Sequence, residues 1–121
     1  MDQTMKADIL AYCNDEPCYL AFIIGIINDY INLENNEQLK VLKIIEELLN
    51  EKLIIAGLPE GDNWIFTPWK DNVKEIIKKI KKEWDELNRE PSLWDIVWFD
   101  ITPKGKEVLK ELLKTVKFKD E

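Results

Sequence analysis

The chain has 121 residues, 17 Lys plus Arg against 24 Asp plus Glu, no His, two Cys and a formal net charge of -7. That length suffices for one domain with a core that needs no disulfide or metal staple, and a 45% apolar fraction with five Trp argues against disorder. The lack of His excludes Ser–His, Cys–His and His-based zinc chemistry, while the acid excess disfavours whole-surface attraction to nucleic acid or anionic lipid.

The first residues start acidic and soon turn amphipathic, without the basic, apolar and small-residue blocks of a signal peptide, which predicts a cytoplasmic chain. Met5, Ile9, Leu10 and Cys13 recur at helical spacing over residues 4–14, up to the turn cluster Asn14-Asp15-Glu16-Pro17. Cys13 and Cys18 flank that cluster; a zinc site would need two further soft ligands, so both read as reduced thiols. Tyr19 to Asn32 is dense in Ile, and its length and the polar break at Asn28-Asp29 predict a buried helix. Its apolar stretch is about half the roughly 20 residues a membrane span needs. Asn35 followed by Gln38 forms a capping box for a third helix, whose apolar face comprises Leu39, Leu42, Ile45 and Leu49, widened by Val41, Ile44 and Leu48.

Leu53 to Gly57 reads as a strand ended by the turn Gly57-Leu58-Pro59-Glu60-Gly61-Asp62, and Trp64 to Thr67 as a strand pairing back, held to an edge by Pro68. Between Asp71 and Asn88, Val73, Ile76, Ile77, Ile80, Trp84 and Leu87 form the most regular amphipathic stripe in the chain. Asp95 to Ile101 reads as a strand with Trp94, Ile96 and Trp98 on one side and Val97 and Phe99 on the other. Thr102 as N-cap and Pro103 at the first helical position open a last helix to about Val116, with Val108, Leu109, Leu112, Leu113 and Val116 inward.

Two stretches, ELLNEKLIIAG at 47–57 and FDITPKGKEVLKEL at 99–112, resemble the third helix entering the first wing strand, and the second wing strand entering the last helix, of a winged-helix domain. The resemblance implies one α+β, mainly α domain over 1–121: three N-terminal helices, a small antiparallel sheet, an amphipathic helix inserted in the wing (about 60–94) and a C-terminal helix. It also implies that strands 52–58 and 95–101 share one sheet. The stretch EWDELNREPSLWDIVWF at 83–99 is similar to stretches in small bacterial proteins of unassigned function.

A winged-helix domain reads DNA with its third helix, but here residues 34–52 carry five acids against three lysines and no Arg. Specific DNA binding is therefore disfavoured. The basic window, Lys70, Lys74, Lys78, Lys79, Lys81 and Lys82 against Asp71 and Glu75, is net +4 and reads as the solvated face of the inserted helix. Residues 1–69 are net -8. Adjacent acids such as Glu46-Glu47 point about 100° apart on a helix, no glycine loop cradles phosphate, and no catalytic constellation, cofactor or metal site is expected. What remains is a surface for a basic protein, composed of Glu34, Glu37, Glu46, Glu47, Glu51, Glu60 and Asp62 with Trp64, Trp69, Trp94 and Trp98. The expected function is that of an acidic immunity protein against a basic, nuclease-type toxin; the alternative is a homodimeric winged-helix regulator or adaptor.

Overall fold

A computed structural model describes residues 1–33, 37–92 and 95–116. In chain order it contains α1 (Gln3–Asp15), β1 (Cys18–Tyr19), α2 (Leu20–Asn28), α3 (Glu37–Asn50), β2 (Ile54–Glu60), β3 (Ile65–Pro68), α4 (Val73–Leu87), β4 (Trp98–Ile101) and α5 (Pro103–Leu112). The four strands form one antiparallel sheet in the order β1-β4-β2-β3. This is an α+β, mainly α architecture. The segments 52–58 and 95–101 meet in that sheet, Ile54 opposite Ile101 and Ala56 opposite Phe99. Among the described residues, no helix is long and apolar enough to cross a membrane.

The core lies on the sheet face that carries Cys18, Ile54, Ala56, Phe99 and Ile101, closed by Ile9, Leu10 and Cys13 of α1, Ile23 and Ile27 of α2, and Val41, Ile45 and Leu48 of α3. Caps fix the helix starts: Asp2 accepts from the Met5 amide, Asn72 from Glu75 and Thr102 from Gly105. Thr102 also donates its hydroxyl to the Lys52 carbonyl at 2.6 Å, which ties the start of α5 to the entry of β2. Gly105 sits against the Leu53 carbonyl, where a Cβ would collide with backbone.

The stripe of α4 buries Ile76, Ile80 and Trp84. Gln38 at the start of α3 donates to Asp85 near the end of α4 at 2.8 Å, while Leu49, Val73 and Ile76 share a groove at the opposite ends. The two helices therefore run antiparallel, and α4 covers one flank of α3.

Several expectations need correction. Tyr19 opens no helix: Cys18 and Tyr19 form a two-residue strand opposite Phe99 and Trp98, and α2 is confined to Leu20–Asn28. The pairing is made with residues some eighty positions away, so local spacing carries no trace of it. The first long strand does not end at Gly57 but runs through Pro59 to Glu60. Its register explains why proline is accepted. Trp69 donates its amide to the Ala56 carbonyl at 2.9 Å, which makes Leu58 opposite Thr67 and Glu60 opposite Ile65 the bonded pairs and leaves Pro59 and Pro68 at positions that need no N–H toward the partner strand.

The strand expected over 95–101 is shortened to Trp98–Ile101. Ile96 has φ 70 and the Val97 amide donates to the Asp95 carbonyl at 2.8 Å, so 95–97 is a turn and the two-sided alternation begins only at Trp98. Arg89 clamps that turn by a fork onto Asp95 (2.6 and 3.1 Å), reinforced by the Ser92 amide and hydroxyl, and these bonds hold the Asp95 carboxyl well below the usual carboxylate range. The last helix stops at Leu112, leaving Leu113 half exposed rather than inward. Leu39 points outward too, 58% exposed. The expected capping box begins at Asn35, outside the described residues.

Candidate protein-binding surface

The β2–β3 hairpin projects past the core because β4 pairs with β2 only as far as Gly57, and residues 58–60 have β3 as their one neighbour in the sheet. Its turn, 61–64, needs left-handed backbone at both ends: Gly61 has φ 77, Trp64 has φ 52, and the Trp64 amide donates to the Gly61 carbonyl at 3.2 Å. At its root, Gly57 leaves room for the Phe66 ring and the Pro68 backbone, each 2.9 Å from where a Cβ would stand. The result is a finger whose tip holds Trp64 at 64% and Ile65 at 65% exposure beside the exposed acids Glu60 and Asp62. No Lys or Arg occurs between positions 53 and 69.

The other expected surface residues do not join this tip. Glu51 is held by Lys6 at 3.0 Å, and with Glu47 it borders a shallow depression of about 390 Å³ near the start of α1. Glu46 and Glu47 are half-buried along α3. Glu37, at the start of α3, has its carboxyl pushed up by burial and then by the charge of Glu90. Trp69 lines an apolar groove of about 410 Å³ between β2 and α4, with Lys79 over its ring at 4.0 Å. Glu34 and Trp94 lie outside the described residues.

Trp98 lies on the sheet face away from the core and begins a row of rings that sequence reasoning missed. Tyr19 lies 5.6 Å from Trp98, Phe22 4.7 Å from Tyr19, and Tyr12 5.6 Å from Phe22, centroid to centroid. The i, i+3 spacing of Tyr19 and Phe22 was visible, but assigning 19–32 to one buried helix put Phe22 in the core. In the structure Phe22 is 42% and Tyr12 47% exposed.

The lysine face lies across α4 from its buried stripe. Lys74, Lys78 and Lys82 are exposed, Lys78 stands 3.9 Å from Glu75, and Lys81 pairs with Asp85 at 2.8 Å. Both cysteines are buried and unbridged, and a hydrogen bond with Cys18 followed by burial pushes the Cys13 thiol far up, away from reactivity at neutral pH. Among the described residues, no group of three or more His, Cys, Asp or Glu could hold a metal ion. Comparison with protein-family models, curated proteins and solved structures found no match, so the functional argument rests on this geometry.

Proposed function

We propose that the chain is a non-enzymatic, cytoplasmic protein-binding module that neutralises a basic partner, in the manner of an immunity protein against a nuclease-type toxin. One observation carries the reading: Trp64 and Ile65 are about two-thirds exposed beside the exposed Glu60 and Asp62, on a hairpin end that contributes no residue to the buried core. Trp is among the residues enriched at the centres of interfaces that carry most of the binding energy, and flanking carboxylates select a cationic surface and speed its approach. Carboxylates set against a nuclease's phosphate-binding surface would block its substrate without any chemistry of their own.

The test is calorimetric titration of a basic protein encoded beside this one with the wild type, with Trp64→Ala and with Glu60→Lys/Asp62→Lys. Loss of a central Trp is expected to weaken binding roughly 30-fold or more, about 2 kcal/mol. The charge reversal should act mainly on the association rate and its salt dependence. Unchanged affinity in both variants would contradict the proposal.

The second reading, a winged-helix regulator or adaptor acting as a homodimer, is favoured by one feature: α3 runs directly into β2, and β2 pairs with β4, which runs directly into α5. Against it stand the acids of α3 and the covering of one flank of that helix by α4. DNA retention that is lost on changing Lys74, Lys78 and Lys82 would favour this second reading.

A further inference from the structure

At the opposite edge of the sheet from the hairpin, the end of α1 and the start of α2 enclose a cleft of about 180 Å³, lined by Tyr12, Tyr19 and Phe22 together with Asp15, Glu16 and Pro17. Three features of this cleft point to one kind of occupant. The first is the rings: Phe22 lies between Tyr12 and Tyr19 at 5.6 and 4.7 Å, tilted 30° and 55° to them, so aromatic faces are offered from several directions. Such faces are negative and attract a cation. The second is the pair of exposed carboxylates at its lip, Asp15 and Glu16, neither of which has an ion-pair partner among the described residues. The third is their placement. They close the C-terminal end of α1, whose last turn has no basic residue, so two anions stand at the negative end of the helix dipole. This reverses the arrangement that stabilises a helix, and a cation brought to this end would relieve it.

We infer that this cleft receives an arginine side chain of the basic partner, its guanidinium stacked on the Tyr12, Phe22 and Tyr19 rings and forked onto Asp15 or Glu16. A guanidinium is flat, weakly hydrated and bidentate toward carboxylates, whereas a lysine ammonium is a compact, strongly hydrated charge that can sit over one ring but has no planar face to stack and no fork for a carboxylate. A purely apolar occupant is disfavoured because it would desolvate two carboxylates without pairing them. The volume suits the end of one side chain rather than a whole small-molecule ligand, since pockets for those begin at about 300 Å³. The inference rests on the protein-binding proposal only for the source of the arginine.

The experiment needs no partner protein. The full chain, labelled with 15N, is titrated with acetyl-Gly-Arg-Gly-amide, with the same peptide carrying citrulline, the uncharged isostere of arginine, and with free arginine. The arginine peptide should give saturable shifts confined to amides of residues 12–22 with millimolar affinity, about tenfold tighter than citrulline and weakened by salt. Free arginine carries an α-ammonium beside its α-carboxylate, so these two charges offset each other and it should bind no more tightly than the peptide. Asp15→Asn/Glu16→Gln should lower peptide affinity about tenfold, as should Tyr12→Ala/Phe22→Ala. The carboxamide pair keeps the test valid if the aromatic pair fails to fold. Absence of saturable shifts at 12–22, equal binding of citrulline, or full affinity in the carboxamide variant would overturn the inference. Tighter binding of free arginine than of the peptide would overturn the assignment to a protein side chain. None of these results depends on the hairpin tip, so the cleft and the toxin-neutralising proposal can fail separately.

Discussion

The two edges of the sheet reach a similar surface chemistry by different routes. At the β3 edge, a seven-residue strand turns back through a tight turn, and the aromatic tip with its acids stands clear of the core. At the β1 edge, two residues suffice, because Cys18 is buried opposite Phe99 and the rings of Tyr19 and Phe22 ride on a helix start anchored in the core. One surface is an appendage and the other is an outgrowth of the packing. Stability and binding should therefore separate at the hairpin tip and remain coupled at the β1 edge.

The largest expected effect probes that coupling. Phe99 is fully buried between β1 and β2, and Phe99→Ala should cost about 3–5 kcal/mol in urea unfolding and weaken recognition at the β1 edge along with the fold. Trp64→Ala, by contrast, should leave the unfolding free energy within about 0.5 kcal/mol of wild type, because its side chain lies outside the core. Equal losses in the two variants would remove the distinction between the edges.

Gly57 is the hinge between the finger and the sheet. A Cβ there meets the Thr67 carbonyl, the Phe66 ring and the Pro68 backbone, so Gly57→Ala should cost about 1–3 kcal/mol and increase hydrogen exchange in 58–67 before the rest of the sheet opens. Uniform exchange across the sheet would show that the finger has no independence.

The smallest effect belongs to the Arg89–Asp95 clamp, which sets the entry into β4 and hence the position of Trp98. Its bonds depress the Asp95 carboxyl in the folded state, so their contribution is fully present above the ordinary aspartate value of about 4 and declines as the pH falls through the lower folded value. Asp95→Asn should therefore lower the unfolding midpoint slightly at pH 7, by an amount that shrinks progressively as the pH is taken below about 4 toward the folded value. A midpoint difference independent of pH would contradict the clamp.

Legibility in the sequence follows the range of the interactions. Helix α4 could be read directly, because Ile76, Ile80 and Trp84 recur at helical spacing and all three are buried. The hairpin could be read from its turn residues, although its register depended on where Pro59 and Pro68 could tolerate a missing N–H, which requires knowing the partner strand. Strand β1 was illegible: two residues carry no periodicity, and their pairing depends on Trp98 and Phe99. The same blindness hid the ring row, since Tyr12, Tyr19 and Phe22 are brought together by the turn at Pro17. The turn at 95–97 was hidden by β-branched and aromatic residues that resemble a strand but pack as a corner, with Ile96 in left-handed backbone. At the surface, Glu60, Asp62 and Trp64 share one tip, while Glu37, Glu51, Trp69 and Trp98 lie elsewhere, because sequence charge counts do not say which faces adjoin.

The central claim is that the hairpin tip is the contact for a basic protein, and the most direct measurement is amide hydrogen exchange of the chain alone and with the basic protein encoded beside it. The account predicts new protection centred on residues 60–66, lost in Trp64→Ala without a change in the unbound exchange of the core. Protection centred on α3 or on the lysine face of α4, with 60–66 exchanging as in the free chain, would contradict it.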